Sequence, residues 1–119
     1  MKILDLLKDV SIDVNATCSN KDEAIDTLVS LMAKQGNLND QDVYKQGIYA
    51  REELSTTGIG EGIAIPHAQS EAVNAPGLAA MVVKDGVDYQ SLDNQPAKLI
   101  FMIAVPKTGG NEHLQILAM

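Results

Sequence analysis

Apolar runs of different lengths along the chain predict four β-strands. Residues 10–16 alternate between apolar and polar side chains, which is typical of a strand with one buried face. Residues 98–105 are apolar almost throughout, so we expect a strand buried on both faces at the centre of a sheet. Shorter apolar runs predict strands at 63–65 and 77–83, with a turn at 84–86.

Apolar residues at helical spacing predict two helices between the first and second strands. The first helix is predicted to follow a cap at Ser19 and to end at Gly36. The second is predicted to begin after a cap at Asn39 and carries Arg51 in its last turns. A third helix, capped by Asn111, is predicted near the end of the chain, which stops inside it.

Helices before, between and after the strands indicate an α/β layered domain. We expect a mixed central β-sheet of about five strands with helices on both faces and a truncated C-terminal helix. No repeat of 20–50 residues and no Pro/Ser-rich linker divides the sequence. Residues 1–119 are therefore predicted to form one domain that is cut short within its last helix.

The acidic charge of the chain excludes several classes of partner. Sixteen acidic and nine basic residues give a net charge of -7, which argues against nucleic acid and anionic membranes as ligands. A single cysteine, Cys18, forms no internal disulfide and favours a reducing compartment. The N-terminal apolar stretch is too short and too charged for a signal peptide, so we expect a cytoplasmic protein.

Three rare cationic side chains are the candidates for chemistry. Arg51 is the only arginine, and His67 and His113 are the only histidines. A lone histidine at a strand end is most often a structural residue. His67, however, directly follows Pro66, which restricts the backbone there, while His113 falls in a predicted first helical turn that favours anions. If the three converge, they form a site for a covalently held phosphoryl group, with the guanidinium matching the phosphoryl oxygens.

The segment between the second helix and His67 supplies further candidate contacts to a phosphoryl group. It is rich in hydroxyl and glycine residues, which offer side-chain donors and close backbone N–H groups. We expect phosphoryl-group contacts from Thr56, Thr57, Gly58 and Gly60.

Other site chemistries find less support in the sequence. Two histidines with Glu61 or Glu112 would supply three zinc ligands, but no HExxH or paired Cys/His motif occurs and Arg51 would repel a divalent cation. No nucleotide-binding loop and no GxSxG serine elbow is present. We therefore expect neither a metal nor a cofactor.

Three stretches carry a family resemblance: TGIGEGIAIPH at 57–67, SLDNQPAKLIFMIAVP at 91–106 and NEHLQIL at 111–117. Together they resemble enzyme IIA of the bacterial phosphoenolpyruvate-dependent sugar phosphotransferase system, fructose/mannitol type (type 2). The likeness covers nearly the whole chain, although Ala68 stands where the family often has glycine. It implies a phosphotransferase in which His67 becomes a tele-phosphohistidine, supported by His113 and Arg51.

The resemblance also implies partners. The phosphorylated histidine-containing phosphocarrier protein (HPr) would donate the phosphoryl group, and a cysteine of enzyme IIB would receive it. Contact with the membrane would be indirect, through enzyme IIC. The 87–96 segment favours the fructose-like transporters. The alternative is a regulatory enzyme IIA-like module, of the nitrogen-related branch or a transcriptional regulator, whose phosphorylation controls partner binding.

Overall fold

A computed structural model of the chain describes residues 7–107. Its regular elements are β1 (Leu7–Ala16), α1 (Lys21–Lys34), α2 (Gln41–Leu54), β2 (Gly58–Gly60), β3 (Ile63–Ala64), β4 (His67–Ser70), β5 (Gly77–Val87) and β6 (Ala97–Pro106). Neither of these helices combines the length and the apolar character that a membrane span requires.

The six strands form one mixed sheet in the order β1-β5-β6-β3-β2, and β4 pairs with β6 beyond the end of β3. Strand β6 runs parallel to β3 and β4 and antiparallel to β5, while β1 and β5 are parallel. The predicted α/β class with a mixed sheet is thus confirmed, with six strands where about five were expected. Strand β6 lies at the centre, as its continuous apolar run predicted.

Both helices begin one residue later than the sequence predicted. The cap of α1 is Asn20, whose side chain accepts the N–H of Glu23 at 2.8 Å, so the prediction of Ser19 was wrong. The cap of α2 is Asp40, whose side chain accepts from Val43. The prediction of Asn39 was therefore also wrong. Each predicted cap is followed by a second residue able to cap, and it is this second residue that stands in extended conformation before the helix.

Strand β5 runs through the predicted turn at 84–86. Gly86 adopts a positive φ of 77°, and the register with β6 shifts between Val82 and Val87. The glycine therefore makes an irregularity within the strand instead of a turn that ends it. The prediction was wrong because glycine is found both in turns that end a strand and in irregularities within a strand.

The two faces of β6 separate the core into two clusters. Ile100, Met102 and Ala104 pack in the same cluster as buried side chains of both α1 and α2. Ile103 and Val105 point to the opposite face, where they pack with Leu78 and others. Both described helices thus cover one face. The helix predicted after Asn111 lies outside the described residues.

Candidate functional site

His67 is the first residue of β4, which continues the pairing with β6 beyond the end of β3. Strand β3 pairs with β6 at Leu99 and Ile100, and β4 pairs with the same side of β6 from Ile103 onward. Pro66 stands between them; its carbonyl accepts the N–H of Ile103 at 3.0 Å, although it has no N–H of its own to donate. The proline thus marks the break between the two strands and sets the start of β4.

The imidazole of His67 is oriented by the backbone just before it. Nδ1 lies 2.9 Å from the carbonyl oxygen of Ile65, and the residue is half-buried. A carbonyl oxygen only accepts hydrogen bonds, so we assign the ring proton to Nδ1, and the lone pair then belongs to Nε2. A neutral imidazole held in this tautomer presents Nε2 as a nucleophile.

Strand alternation places the His67 ring on the face opposite the helices. His67 is in register with Ile103, whose side chain lies on that face. The next residue, Ala68, points the other way, and a Cβ added to Gly47 of α2 would come within 3.3 Å of its methyl group. Two small residues thus let α2 approach β4 closely. This contact packs α2 against the strand that carries His67, about one turn before the last turn of the helix.

Arg51 lies in that last turn, four residues after Gly47. Its Nη1 donates to the carbonyl oxygen of Ser55 at 2.9 Å, at the C-terminal cap of the helix. Ser55 leads into Thr57, whose carbonyl oxygen accepts the N–H of Ile65 at 3.0 Å. The Ser55–Thr57 segment thus links Arg51 to the Ile65 carbonyl that orients His67. A direct approach of the Arg51 and His67 side chains stays a prediction. His113, the third predicted member of the site, lies outside the described residues.

The four residues predicted to contact a phosphoryl group make hydrogen bonds or close contacts within the protein. Thr56 Oγ1 accepts the N–H of Gly58 at 3.1 Å and lies 3.3 Å from the carbonyl oxygen of Tyr89. Thr57 is buried, with its hydroxyl 3.4 Å from the Tyr89 hydroxyl. Gly58 and Gly60 pair with β3, and both also lie against the loop after Tyr89. A role for these residues in binding phosphoryl oxygens stays a prediction.

The glycines of β2 have a packing reason of their own. A Cβ on Gly58 would overlap Ser91 Oγ and would lie 2.9 Å from Ser91 Cα. Gly60 has a φ of 102° and faces the Asp93 carboxylate. Asp93 accepts the N–H of Glu61 at 2.9 Å, and this bond, with a second from Gln95, lowers the pKa of the Asp93 carboxyl. The glycine-rich hairpin therefore packs directly on the 91–95 loop.

Comparison with known proteins identifies the family. The sequence model of the phosphoenolpyruvate-dependent sugar phosphotransferase system EIIA 2 family matches residues 5–119. The chain belongs to this family. A relative from Bacillus subtilis (strain 168), the PTS system fructose-specific EIIABC component, is 49% identical over 99% of the chain. The chain spans 19% of the length of that relative. The expectation of a phosphotransferase-system enzyme IIA is confirmed.

Solved structures show the same fold for this enzyme IIA chain. The crystal structure of the nitrogen regulatory protein IIA-Ntr from Neisseria meningitidis superimposes with a TM-score of 0.87 at 26% identity, covering 96% of this chain and 77% of its own. An NMR structure of enzyme IIA mannitol with phosphorylated enzyme IIB mannitol from Escherichia coli gives a TM-score of 0.78 at 29% identity, covering 94% and 76%. A sugar-specific and a regulatory protein thus share this architecture.

One polar cluster near the site was missed by the sequence analysis. Glu52 of the enzyme IIA chain, next to Arg51, has a side chain only 5% exposed and forms an ion pair with Lys21 at 2.8 Å. The Lys21 ammonium also lies 4.6 Å from the ring centroid of Tyr89. Burial and the neighbouring Glu52 carboxylate raise the pKa of Tyr89 above its usual value. The only signal in the sequence was the position of Glu52 at the end of a helix beside the single arginine.

Metal chemistry finds no further support in the part of the chain that the structure describes. Across residues 7–107, no group of three or more His, Cys, Asp or Glu side chains converges in a way that could hold a metal ion. Glu61, one of the ligands considered from the sequence, lies in the turn between β2 and β3 with a φ of 57°. Glu112 lies beyond the described residues.

Proposed function

We propose that this enzyme IIA chain is a phosphocarrier that receives a phosphoryl group on Nε2 of His67 and passes it on. The observation that supports this most directly is the 2.9 Å contact between Nδ1 and the carbonyl oxygen of Ile65. It fixes the ring so that Nε2 carries the lone pair while Nδ1 keeps its proton. The chemistry of an activated imidazole then matches the family to which the chain belongs.

The transfer step balances without any further reactant. Nε2 of His67 attacks the phosphorus of an incoming phosphohistidine, the new N–P bond forms, and the donor's N–P bond breaks in line with it. The donor ring, which carries a proton on its other nitrogen, takes the electron pair of the broken bond and leaves as neutral imidazole. The positive charge that develops on the His67 ring is stabilised by the Ile65 carbonyl oxygen, which accepts from Nδ1–H.

Arg51 and His113 are proposed to neutralise the phosphoryl oxygens in the transition state. Arg51 is fixed at the end of α2 through its bond to Ser55, and its guanidinium offers further donors beyond the one used there. Thr56, Thr57, Gly58 and Gly60 shape the adjacent segment and are secondary candidates for binding. Replacing His113 by alanine is expected to slow the transfer while His67 remains modifiable, and an unchanged rate would remove His113 from the site.

We propose HPr as donor and an enzyme IIB as acceptor. An enzyme IIA mannitol in complex with phosphorylated enzyme IIB is among the structures that share this fold, which supports the acceptor. The membrane would be reached only through enzyme IIC, and the net charge of -7 suits a cytoplasmic protein that docks on proteins and not on nucleic acid. We also propose that residues 1–119 belong to one enzyme IIA domain.

Fructose uptake is the favoured process. The fructose-specific relative is 49% identical to the chain, whereas relatives named nitrogen regulatory protein are 33% and 35% identical and the nitrogen regulatory protein of the same fold is 26% identical. A regulatory role remains the second candidate, because the latter protein matches the fold with a TM-score of 0.87. Transfer of the phosphoryl group from the phosphorylated chain to the IIB of a fructose transporter tests the uptake role. A chain that HPr phosphorylates but that passes the group to no sugar-specific IIB would support the regulatory role.

Incubation with phosphoenolpyruvate, enzyme I and HPr tests the proposed chemistry. We expect acid-labile phosphate on the intact protein and none on His67→Ala, and a wild-type protein that stays unmodified would refute the proposal. Folding of the variant is checked by its thermal unfolding, because the His67 ring is half-buried.

A further inference from the structure

A buried carboxylate connects three elements behind the proposed site. Oε1 of Glu52, near the end of α2, lies 2.8 Å from the Lys21 ammonium at the start of α1 and accepts the N–H of Thr57, just before β2, at 3.2 Å. The side chains of Lys21 and Glu52 are 15% and 5% exposed. A charge buried to this extent is costly unless it is paired and hydrogen-bonded. Both contacts are made by Oε1, whereas Oε2 is buried without a hydrogen bond among the described residues, so the carboxylate is held through Oε1.

The contacts of Glu52 continue to the His67 ring in three steps. Glu52 holds the N–H of Thr57, the carbonyl oxygen of Thr57 accepts from the N–H of Ile65 at 3.0 Å, and the carbonyl oxygen of Ile65 lies 2.9 Å from Nδ1 of His67. Each residue in this series is fixed by the one before it. The backbone carbonyl that orients the imidazole is therefore anchored to a buried charge.

We propose that Glu52 is a positioning residue for His67, acting through the hydrogen bond to the Thr57 N–H. The inference rests on the proposed function of His67 as phosphoryl acceptor. Glu52 does not touch the reacting atoms. It fixes Thr57, and thereby Ile65, so that the ring keeps its proton on Nδ1 and its lone pair on Nε2.

The neighbouring residue supports the same turn from the other side. Arg51 donates to the carbonyl oxygen of Ser55 on the exposed side, while Glu52 accepts from Thr57 on the buried side. The segment from the helix end to β2 is thus held by two consecutive side chains. A shift of this segment would move both the guanidinium and the carbonyl that orients the imidazole.

Four variants separate positioning from stability. Glu52→Ala removes the acceptor for Thr57, whereas Glu52→Gln keeps an acceptor oxygen and loses the charge. Lys21→Met removes the ion pair and leaves the bond to Thr57, which makes it the control for lost stability. Glu53→Ala, at the exposed next position, is the control for an unrelated acidic residue.

Two measurements are made on each variant below its unfolding transition. The first is phosphoryl transfer from HPr over a range of donor concentrations, where we expect kcat of Glu52→Ala to be lower by about tenfold or more with little change in KM. Glu52→Gln is expected to restore most of the rate, and Lys21→Met and Glu53→Ala to keep it. The second is the NMR signal of the His67 ring nitrogens, which reports the Nδ1–H tautomer without any phosphoryl donor. We expect a mixture of tautomers in Glu52→Ala alone.

The outcomes distinguish this proposal from the proposed function. If the wild-type protein accepts no phosphoryl group, the proposed function fails, and the ring-nitrogen signals still decide whether Glu52 orients His67. If Glu52→Ala leaves the tautomer unchanged, or if Glu52→Gln slows the transfer as much as Glu52→Ala does, Glu52 does not position His67 through its bond to Thr57.

Discussion

Nδ1 of His67 lies 2.9 Å from the carbonyl oxygen of Ile65, two residues earlier in the chain. Pro66 lies between them and has its φ fixed by its ring, so the carbonyl and the imidazole are held on neighbouring positions of one short segment. The contact is thus local in sequence, while the segment itself is fixed by β6 through the bond from the Ile103 N–H to Pro66. Both local and long-range contacts orient the ring.

This contact predicts which ring nitrogen is phosphorylated. With the proton held on Nδ1, the lone pair of His67 lies on Nε2, so the phosphoryl group is expected there. Long-range proton–nitrogen NMR correlations of the phosphorylated protein distinguish the two positions. A phosphoryl group on Nδ1 would require the bond to Ile65 to break and would contradict the assigned tautomer.

Replacement of Arg51 by lysine is expected to slow phosphoryl transfer by about tenfold or more, because lysine keeps the charge but loses the planar fork that matches phosphoryl oxygens. The free energy of unfolding should change by less than about 0.5 kcal/mol, since the side chain is near the surface. Transfer rates from HPr and urea unfolding measure the two effects. Glu53→Gln, in the same turn of the helix, is the control and should transfer at the wild-type rate. If Arg51→Lys also transfers at the wild-type rate, the guanidinium does not belong to the site.

The sequence predicted the parts of the site that local rules determine. A proline before His67 and an arginine at a helix end are recognisable within a few residues, and the structure has both at the expected places. The continuous apolar run at 98–105 likewise predicted the central strand, because a strand buried on both faces needs apolar residues at successive positions.

Contacts between distant residues were not predictable in this way. Lys21, Glu52 and Tyr89 meet although more than thirty residues separate each from the next, and no periodicity marks them as neighbours. The hydrogen bonds that the Thr56 and Thr57 hydroxyls make to Tyr89 were likewise not foreseen, while their predicted contacts with a phosphoryl group stay a prediction. Which of several possible partners a hydroxyl takes depends on how the strands and loops pack, and the sequence pattern does not contain that information.

Gly58→Ala is expected to destabilise the hairpin beside His67. The added Cβ would overlap both the side chain and the backbone of Ser91, so the 91–95 loop must move. Overpacking of this kind costs about 1–3 kcal/mol of unfolding free energy. Urea unfolding measures the loss. The double variant Gly58→Ala/Ser91→Gly removes the overlap with the Ser91 side chain but not the overlap with its backbone. It should therefore recover part of the lost free energy of unfolding. If it recovers none, the side-chain overlap is not the cause of the loss.

Two buried tyrosines predict a loss of stability at alkaline pH. The Tyr44 hydroxyl is fully buried and donates to the carbonyl oxygen of Ile103 at 2.9 Å, and burial raises the pKa of Tyr44 well above its ordinary value of 10.0. Burial likewise raises the pKa of Tyr89. Both hydroxyls therefore keep their protons in the folded protein at a pH where the unfolded chain releases them.

The sign and size of this effect follow from proton linkage. Below about pH 10 the tyrosine hydroxyls are protonated in both the folded and the unfolded protein, so ionisation does not lower the free energy of unfolding. Above about pH 10, each such tyrosine lowers the free energy of unfolding by about 1.4 kcal/mol per pH unit until the pH reaches its pKa in the folded protein. Tyr44→Phe should lose about 1 kcal/mol near neutral pH, because the hydrogen bond to Ile103 is gone, yet show a shallower decline between pH 10 and 11. Urea unfolding at pH 8, 10 and 11 measures both, with Tyr89→Phe as the parallel variant. A Tyr44→Phe protein that declines as steeply as the wild type would show that Tyr44 ionises without unfolding.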